Sequence, residues 1–285
     1  MSATSTAINV FTFLITTILY YVFAKPNYSV ANMADKKAIQ DVLKNQKWMQ
    51  LLYFLFILVG QFVINIMAIS ARCGNSSAEN IGSAFTITFL PWLLIFGVMM
   101  VLIMVLPGMK SGFSDVIGYL AVSWSANKLV TDLLIDPDIE NQIDSDKMDE
   151  NEKASLRHSA QSIVRIMGNM SVLINQVVPA NFAAFWTTLY PLMKPEYKNN
   201  PAGSDTMRLK QQFLRLATIR DNVGEGCWYV YTGIFVIFLT SYYVGTLRCS
   251  VDPNVMNKNY DEYVQKEKEE EEKKAVENNV VYKMD

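Results

Sequence analysis

Four long runs of uncharged residues restrict what this chain can fold into. They cover residues 8–24, 48–70, 84–106 and 228–247. An α-helix needs about 20 mostly apolar residues to cross the roughly 30 Å hydrocarbon layer of a bilayer. Each run meets or approaches that length, and Tyr or Trp residues stand near several of the run ends, where amphipathic rings favour the headgroup level. The pattern predicts a polytopic membrane protein with four transmembrane helices.

The composition agrees with a membrane location. Of the 285 residues, 51% are hydrophobic and only 18% are charged, whereas soluble domains carry about 25% charge. The alternative, core helices buried in a large soluble protein, needs more surrounding polar chain than is present. The formal net charge of −2 offers no electrostatic footprint for nucleic acid.

The first run has two interpretations. Val22 and Ala24 fit the small-residue rule of a cleaved signal peptide, but residues 1–7 carry no Lys or Arg, so the positively charged segment of a signal peptide is missing. We therefore favour an uncleaved helix. N-terminal sequencing of the mature chain distinguishes the two.

Two further apolar stretches are interrupted by polar residues. Residues 113–135 include Asp115, Lys128 and Asp132, each unfavourable in the middle of a bilayer. Residues 172–193 are uncharged but contain closely spaced amides and a proline. We interpret both stretches as buried or interfacial parts of a domain, and leave open whether 172–193 enters the bilayer.

The lysines predict the orientation, because short loops rich in Lys and Arg stay cytoplasmic. The loop after the first helix contains five lysines, whereas the loop at 71–83 contains only Arg72. This predicts a 3+1 arrangement: an anchor of three transmembrane helices (1–106), a mostly helical cytoplasmic domain (107–227), a fourth transmembrane helix (228–247) and a charged tail (248–285).

Cys73 and Cys249 lie just beyond two helix ends on the predicted lumenal side. A disulfide between them would join the second helix to the fourth in a compartment that permits such bonds. The alternative is two free surface thiols, because the sequence does not fix the Cα separation that a disulfide requires. Cys227 lies at the other face, with no base beside it to make it a nucleophile.

A basic amphipathic helix is predicted before the fourth membrane run. Apolar residues alternate there with four basic ones, and the helix has two compatible roles: packing in the domain and lying on anionic headgroups. The candidate headgroup contacts are Arg208, Lys210, Arg215 and Arg220.

The sequence gives no indication of an enzyme. It contains no phosphate-binding loop, nucleophile elbow, HExxH or CxxC motif, and its single histidine, His158, has no partner base nearby. We expect no cofactor and no metal. The four apolar runs contain no Asp, Glu, Lys or Arg, which weighs against a pump or transporter.

The segment Pro107–Tyr119 carries a resemblance to a known family. It reads Pro-Gly-Met-Lys-Ser-Gly-Phe-Ser-Asp-Val-Ile-Gly-Tyr and resembles the Pro-Gly-Trp-x-x-Pro-Phe-Ser-Asn-Thr-Phe-Gly-Tyr motif of membrane-anchored minor capsid proteins of nucleocytoplasmic large DNA viruses, the phycodnavirus and mimivirus relatives. Met109, Gly112 and Asp115 depart from that pattern. The residues that match and carry the resemblance are Pro107, Gly108, Phe113, Ser114, Gly118 and Tyr119. Two further similarities follow in the same order, at 179–186 and 228–249.

The resemblance implies a structural virion protein in the internal lipid membrane beneath the capsid, made on a host endomembrane during assembly. Its implied partners are the lipid bilayer and other capsid proteins, and a homo-oligomer is compatible with this role. The domain at 107–227 would bind the shell, and the tail would face the genome. The alternative function is a membrane channel or small-solute transporter, which would depend on the polar interruptions Gln61 and Asn65 or on Pro91.

Overall fold

The computed structural model describes residues 3–73, 78–134, 165, 168–249 and 253–278. Within these residues the chain is mainly α-helical, and four helices are long and apolar enough to cross a membrane. This confirms the prediction of a polytopic membrane protein with four transmembrane helices.

Of the first three spans, the second is one long helix, whereas the first and the third each include a π-helical turn. Pro91 lies inside the third span, and a π-helical turn follows it directly, since proline lacks the N–H that closes an α-helical turn. The helix ends at Val105, just before Pro107-Gly108, as predicted. The elements are α1 (Ala3–Leu19) with a π-helical turn at Tyr20–Ala24, α2 (Val30–Ala34), α3 (Lys36–Cys73), α4 (Ala78–Pro91) with a π-helical turn at Trp92–Gly97, and α5 (Val98–Val105).

The remaining elements are short helices followed by two long ones. Three 3-10 turns connect them, at Pro107–Lys110, Pro179–Asn181 and Tyr190–Leu192. The helices are α6 (Ser111–Phe113) with a π-helical turn at Ser114–Gly118, α7 (Tyr119–Leu133), α8 (Met170–Gln176), α9 (Phe182–Leu189), α10 (Pro195–Lys198), α11 (Ser204–Thr246) and α12 (Pro253–Asn278).

Helix α11 continues without a break from the membrane into the domain. Its 43 residues extend over about 64 Å at 1.5 Å per residue. The predicted basic helix and the predicted fourth transmembrane helix are therefore one element, and the predicted boundary at 227/228 lies inside it. The part of α11 before Trp228 projects about 36 Å beyond the membrane run.

The two largest apolar cores among the described residues lie along α11. In the membrane, side chains of α1, α3, the 92–105 segment and α11 pack around Phe13, Trp92 and Phe96. Beyond the membrane, α2, α7, α9 and α11 pack around a second core that includes Leu133, Phe182 and Phe213. The 172–193 stretch forms short helices that pack on this second core.

A disulfide joins Cys73 to Cys249, with their Cα atoms 5.4 Å apart. It connects the end of α3 to the segment after α11, so the second and fourth spans are tied at one end of the bundle. We call this the disulfide end and the opposite end the domain end. Cys227 is a free thiol at the domain end.

We expect alkylation to count one thiol in the denatured, unreduced protein and three after reduction. The physical reason is that Cys73 and Cys249 are bonded whereas Cys227 is free. Intact-mass measurement after iodoacetamide treatment gives the count. Three alkylated cysteines without reduction, in protein isolated with thiols blocked at lysis, would contradict the disulfide.

The charged tail forms the exposed helix α12. Apart from one intermediate position, its described side chains are exposed, and the pair Lys258–Glu262, with 4.0 Å between Nζ and Oε1, lies on its surface. This agrees with a solvated helix, one of the two forms predicted for this charge pattern.

Candidate functional site

A charged cluster lies buried at the domain end of the bundle, around the carboxylate of Glu225. The ammonium group of Lys25 donates to Oε1 of Glu225 at 2.6 Å, and the hydroxyl of Tyr21 donates to the same oxygen at 3.0 Å. Lys110 lies 2.8 Å from the other oxygen, Oε2. The side chain of Glu225 is only 6% exposed and that of Lys25 only 9%, so this carboxylate is enclosed by its partners.

Asp221 completes the cluster one helical turn earlier on α11. Lys110 donates to its Oδ2 at 3.1 Å. Two lysines and two carboxylates therefore form a group with no net charge. Removing one member of a buried ion pair leaves the other charge without compensation. All four charged side chains must therefore be in place at once. This requirement fixes the end of α1 and the 107–110 turn against α11.

The two lysines have opposite pKa shifts. Burial lowers the pKa of Lys25, and the attraction of Glu225 offsets only part of that effect. Burial also acts to lower the pKa of Lys110, but Glu225 and Asp221 outweigh it and the pKa of Lys110 is raised. The difference follows from the number of carboxylates, since Lys110 contacts two and Lys25 contacts one.

This cluster was not predicted from the sequence, although the signal was present. Lys25 directly follows the first apolar run. Lys110 comes just after Pro107-Gly108, which follow the third run, and Glu225 precedes Trp228, where the fourth run begins. The predicted orientation places all three positions at the same face of the membrane. Charges of opposite sign at neighbouring helix ends indicate an ion-pair cluster.

The Pro107–Tyr119 segment packs closely along α11. A Cβ atom added at Gly118 would lie 2.5 Å from the backbone oxygen of Arg220, and one added at Gly224 would lie 2.6 Å from the Cβ of Ser114. Trp228 Nε1 donates to the backbone oxygen of Met109 at 2.8 Å. Of the motif residues, Gly118 and Ser114 thus form a tight helix contact.

The other motif residues have different surroundings. Phe113 packs edge-on against the Trp228 ring, with 4.8 Å between ring centroids. Tyr119 packs beside the small buried group formed by Val122, Ala126 and Ile174. Pro107 and Gly108 are exposed and form the turn after α5. The segment therefore packs against α11 and holds it in place at the level where α11 leaves the membrane.

The predicted headgroup contact at Arg220 is wrong. Its side chain is buried, and its guanidinium donates to the backbone oxygen of Ile174 at 2.7 Å and lies 3.9 Å from Asp115. Asn175 Nδ2 donates to the backbone oxygen of Asp115 at 3.0 Å. Arg220 therefore joins α8, the 114–118 turn and α11 inside the domain.

The other three predicted headgroup contacts, Arg208, Lys210 and Arg215, lie on α11 before Trp228. Arg215 is 13 residues before Trp228 on a continuous helix, which is about 20 Å, and Arg208 is about 30 Å away. Lys210 lies over the Trp186 ring, 5.5 Å from its centroid. Headgroup contacts at Arg208, Lys210 and Arg215 stay a prediction.

A second polar group lies inside the membrane part of the bundle. Asn9 Nδ2 donates to Asn65 Oδ1 at 3.2 Å, and Asn65 Nδ2 donates to Thr88 Oγ1 at 2.9 Å. Gln61 Nε2 donates to the backbone oxygen of Asn9 at 3.1 Å. These bonds join α1, α3 and α4. Gln61 and Asn65 were recognised as polar interruptions in the sequence, but nothing there identified Asn9 and Thr88 as their partners.

The described part of the chain contains no group of three or more His, Cys, Asp or Glu side chains placed to hold a metal ion. His158 lies outside the described residues. The charged cluster has carboxylates and ammonium groups paired with each other, an arrangement suited to fixing helices in register.

Comparisons with protein-family models, with curated proteins and with solved structures find no match to this chain.

Proposed function

We propose that this protein is a structural tether: a minor capsid component of a large DNA virus that joins the internal lipid membrane to the capsid shell. The observation that carries the proposal is the unbroken helix α11, which belongs to both the membrane bundle and the domain. A force applied to the domain is transmitted to the membrane helices through one rod, with no flexible linker between them.

The packing of the Pro107–Tyr119 segment against α11, at the membrane surface, supports the same role. The Pro107–Tyr119 segment packs on α11 and the charged cluster joins that segment to α1. Three of the four spans thus meet at the point where the domain leaves the bilayer. The segment that carries the family resemblance is also the segment that holds the domain in a fixed position.

The domain exposes two large apolar side chains. Leu120 is 70% exposed and Trp124 is 84% exposed among the described residues. Gly118 lies beside Arg220, and α7 runs on from there away from the membrane, which places Trp124 about 20 Å above the level of Trp228. Contiguous exposed apolar surface marks protein or membrane interaction sites, and a shell protein is the partner that the tether requires.

The protein content of purified particles tests this function. We expect the chain to be an abundant component of the particles and to remain with shell proteins when detergent removes the membrane lipid. A chain found in host membranes but absent from the particles would exclude the tether.

The alternative is a channel or small-solute transporter, and the polar group around Asn9, Gln61, Asn65 and Thr88 is the observation that favours it. Liposomes containing the purified chain distinguish the two functions. A tether gives no solute flux above protein-free liposomes, whereas a transporter gives flux that falls in Gln61→Leu and Asn65→Leu variants.

A further inference from the structure

A groove of about 440 Å³ lies in the membrane-facing surface at the domain end, between α3 and the 93–104 part of the third span. Its wall is apolar except at the mouth, where Lys47 and Gln50 stand. Most of the apolar wall is exposed, including Val98 and Val101. Among the described residues, no Asp or Glu lines the groove. The groove therefore combines an apolar wall with a positive charge at its mouth.

The depth of the groove matches one leaflet of a bilayer. Phe54 lies about 10 Å along α3 from Lys47, and Leu93 lies about 15 Å along the third span from Met104. Half of the roughly 30 Å hydrocarbon layer is about 15 Å. Because Lys47 directly precedes the apolar run at 48–70, the mouth lies at the headgroup level and the groove descends from there toward the middle of the bilayer.

Lys47 is free to bind a ligand at this mouth. Its side chain is exposed, and it has no ion-pair partner within the described residues. This distinguishes Lys47 from Lys25 and Lys110, which both pair with Glu225. A lysine near the membrane surface attracts anionic lipid headgroups, so the charge at the mouth is complementary to a negatively charged headgroup.

We propose that the groove binds one acidic glycerophospholipid from the leaflet at the domain end. One acyl chain of the lipid lies against Leu51, Val98 and Val101, and its phosphate group forms an ion pair with the ammonium group of Lys47. The apolar wall has the depth that an acyl chain reaches, and the charge at the mouth selects an anionic headgroup over a zwitterionic one. This lipid site does not depend on the tether function.

The helix of a second copy fits the groove less well, because it would have to place a carboxylate at the level of Lys47. The four apolar runs contain no Asp or Glu. Asp221 and Glu225, which lie just before the fourth run, are already paired with lysines of their own chain. Every acidic lipid molecule, in contrast, brings its negative charge to this level.

The test uses the full chain in nanodiscs that contain equal amounts of phosphatidylglycerol and phosphatidylcholine with identical acyl chains. Mass spectrometry of the lipids that stay bound after mild detergent extraction gives their ratio. We expect the wild-type chain to retain phosphatidylglycerol about fivefold over phosphatidylcholine, which is the effect of one lysine near an anionic headgroup. Lys47→Gln should remove this preference, and Val98→Phe should lower the retention of both lipids by filling the groove. Val101→Phe fills the groove nearer its mouth and repeats the test if Val98→Phe does not form the Cys73–Cys249 disulfide.

Two matched variants control for general effects of charge and of size. Lys44→Gln removes another exposed lysine of α3, about one turn farther from the membrane and outside the groove. Val59→Phe adds the same ring at an exposed position of α3 that does not line the groove. Both variants should retain the two lipids as the wild-type chain does.

Three results would each overturn the proposal. The first is a wild-type chain without preference for phosphatidylglycerol. The second is a loss of preference in Lys44→Gln as large as that in Lys47→Gln, which would show a diffuse attraction to the lysine-rich surface. The third is lipid retention that Val98→Phe and Val101→Phe leave unchanged, or a lipid-free dimer that these variants dissociate, which would assign the groove to a second copy.

Discussion

Replacing Glu225 by Gln is expected to lower the free energy of unfolding by about 3 kcal/mol, because breaking a buried ion pair leaves its partner charges uncompensated. Glu225 binds both Lys25 and Lys110, and its side chain is 6% exposed. After the substitution two ammonium groups remain beside Asp221 as the single carboxylate. Denaturant titration of the purified chain in detergent micelles measures the loss in the free energy of unfolding.

Two variants show whether the loss comes from the cluster. Glu262→Gln removes a carboxylate of the exposed pair with Lys258 and should change stability by less than about 1 kcal/mol. The double variant Lys25→Met with Glu225→Met leaves Lys110 paired with Asp221, so most of the lost stability should return. A Glu225→Gln variant as stable as Glu262→Gln would show that the cluster does not hold the helices together.

The second large effect is expected at the contact between the Pro107–Tyr119 segment and α11. Gly118→Ala and Gly224→Ala should each lower the free energy of unfolding by about 3 kcal/mol, the upper range for overpacking. In both cases the new methyl group would meet backbone atoms of the neighbouring segment at less than 3.0 Å. The same denaturant titration measures both variants.

Gly82→Ala provides the control with the opposite sign. Gly82 is also inside a helix, but nothing lies within 4 Å of an added Cβ, so Ala should stabilise the helix by about 1 kcal/mol. If Gly118→Ala were no less stable than Gly82→Ala, the close packing of the segment on α11 would be refuted.

The sequence predicted the membrane part of the fold well because hydrocarbon imposes a simple rule. A span must be long, apolar and helical. For the uncharged runs at 48–70 and 84–106, a transmembrane helix is the one structure that meets this rule. The helix stop before Pro107 follows from equally local chemistry, since Leu106, the residue before the proline, is biased away from helix.

The continuity of α11 could not be predicted in the same way. Gly224 and Gly226 weaken a helix locally, which disfavours one continuous helix, and the predicted boundary between the domain and the fourth transmembrane helix lay at 227/228. Packing reverses that preference, because Gly224 lies against Ser114 and a larger residue would not fit there. The role predicted for Arg220 came from its place in a basic amphipathic pattern, and that pattern does not reveal that the side chain is buried against Ile174 and Asp115.

The charged cluster and the polar group in the membrane depend on pairings between distant parts of the chain. Lys25 and Glu225 are 200 residues apart, and Asn9 and Asn65 are 56 apart. Composition identifies such residues as unusual in or near a span, but only the packing of the helices identifies their partners. The resemblance at Pro107–Tyr119 supplied a functional hypothesis, and the structure adds a physical role for the same residues.

Lysine cross-linking in intact purified particles, read by mass spectrometry, tests the tether most directly. Lys128 on α7 is exposed on the domain, and Lys266 and Lys268 are exposed on the tail helix α12. The tether predicts cross-links from Lys128 to shell proteins and none from the two tail lysines to the shell. Cross-links to the shell from the tail alone, or particles that lack the chain, would contradict it.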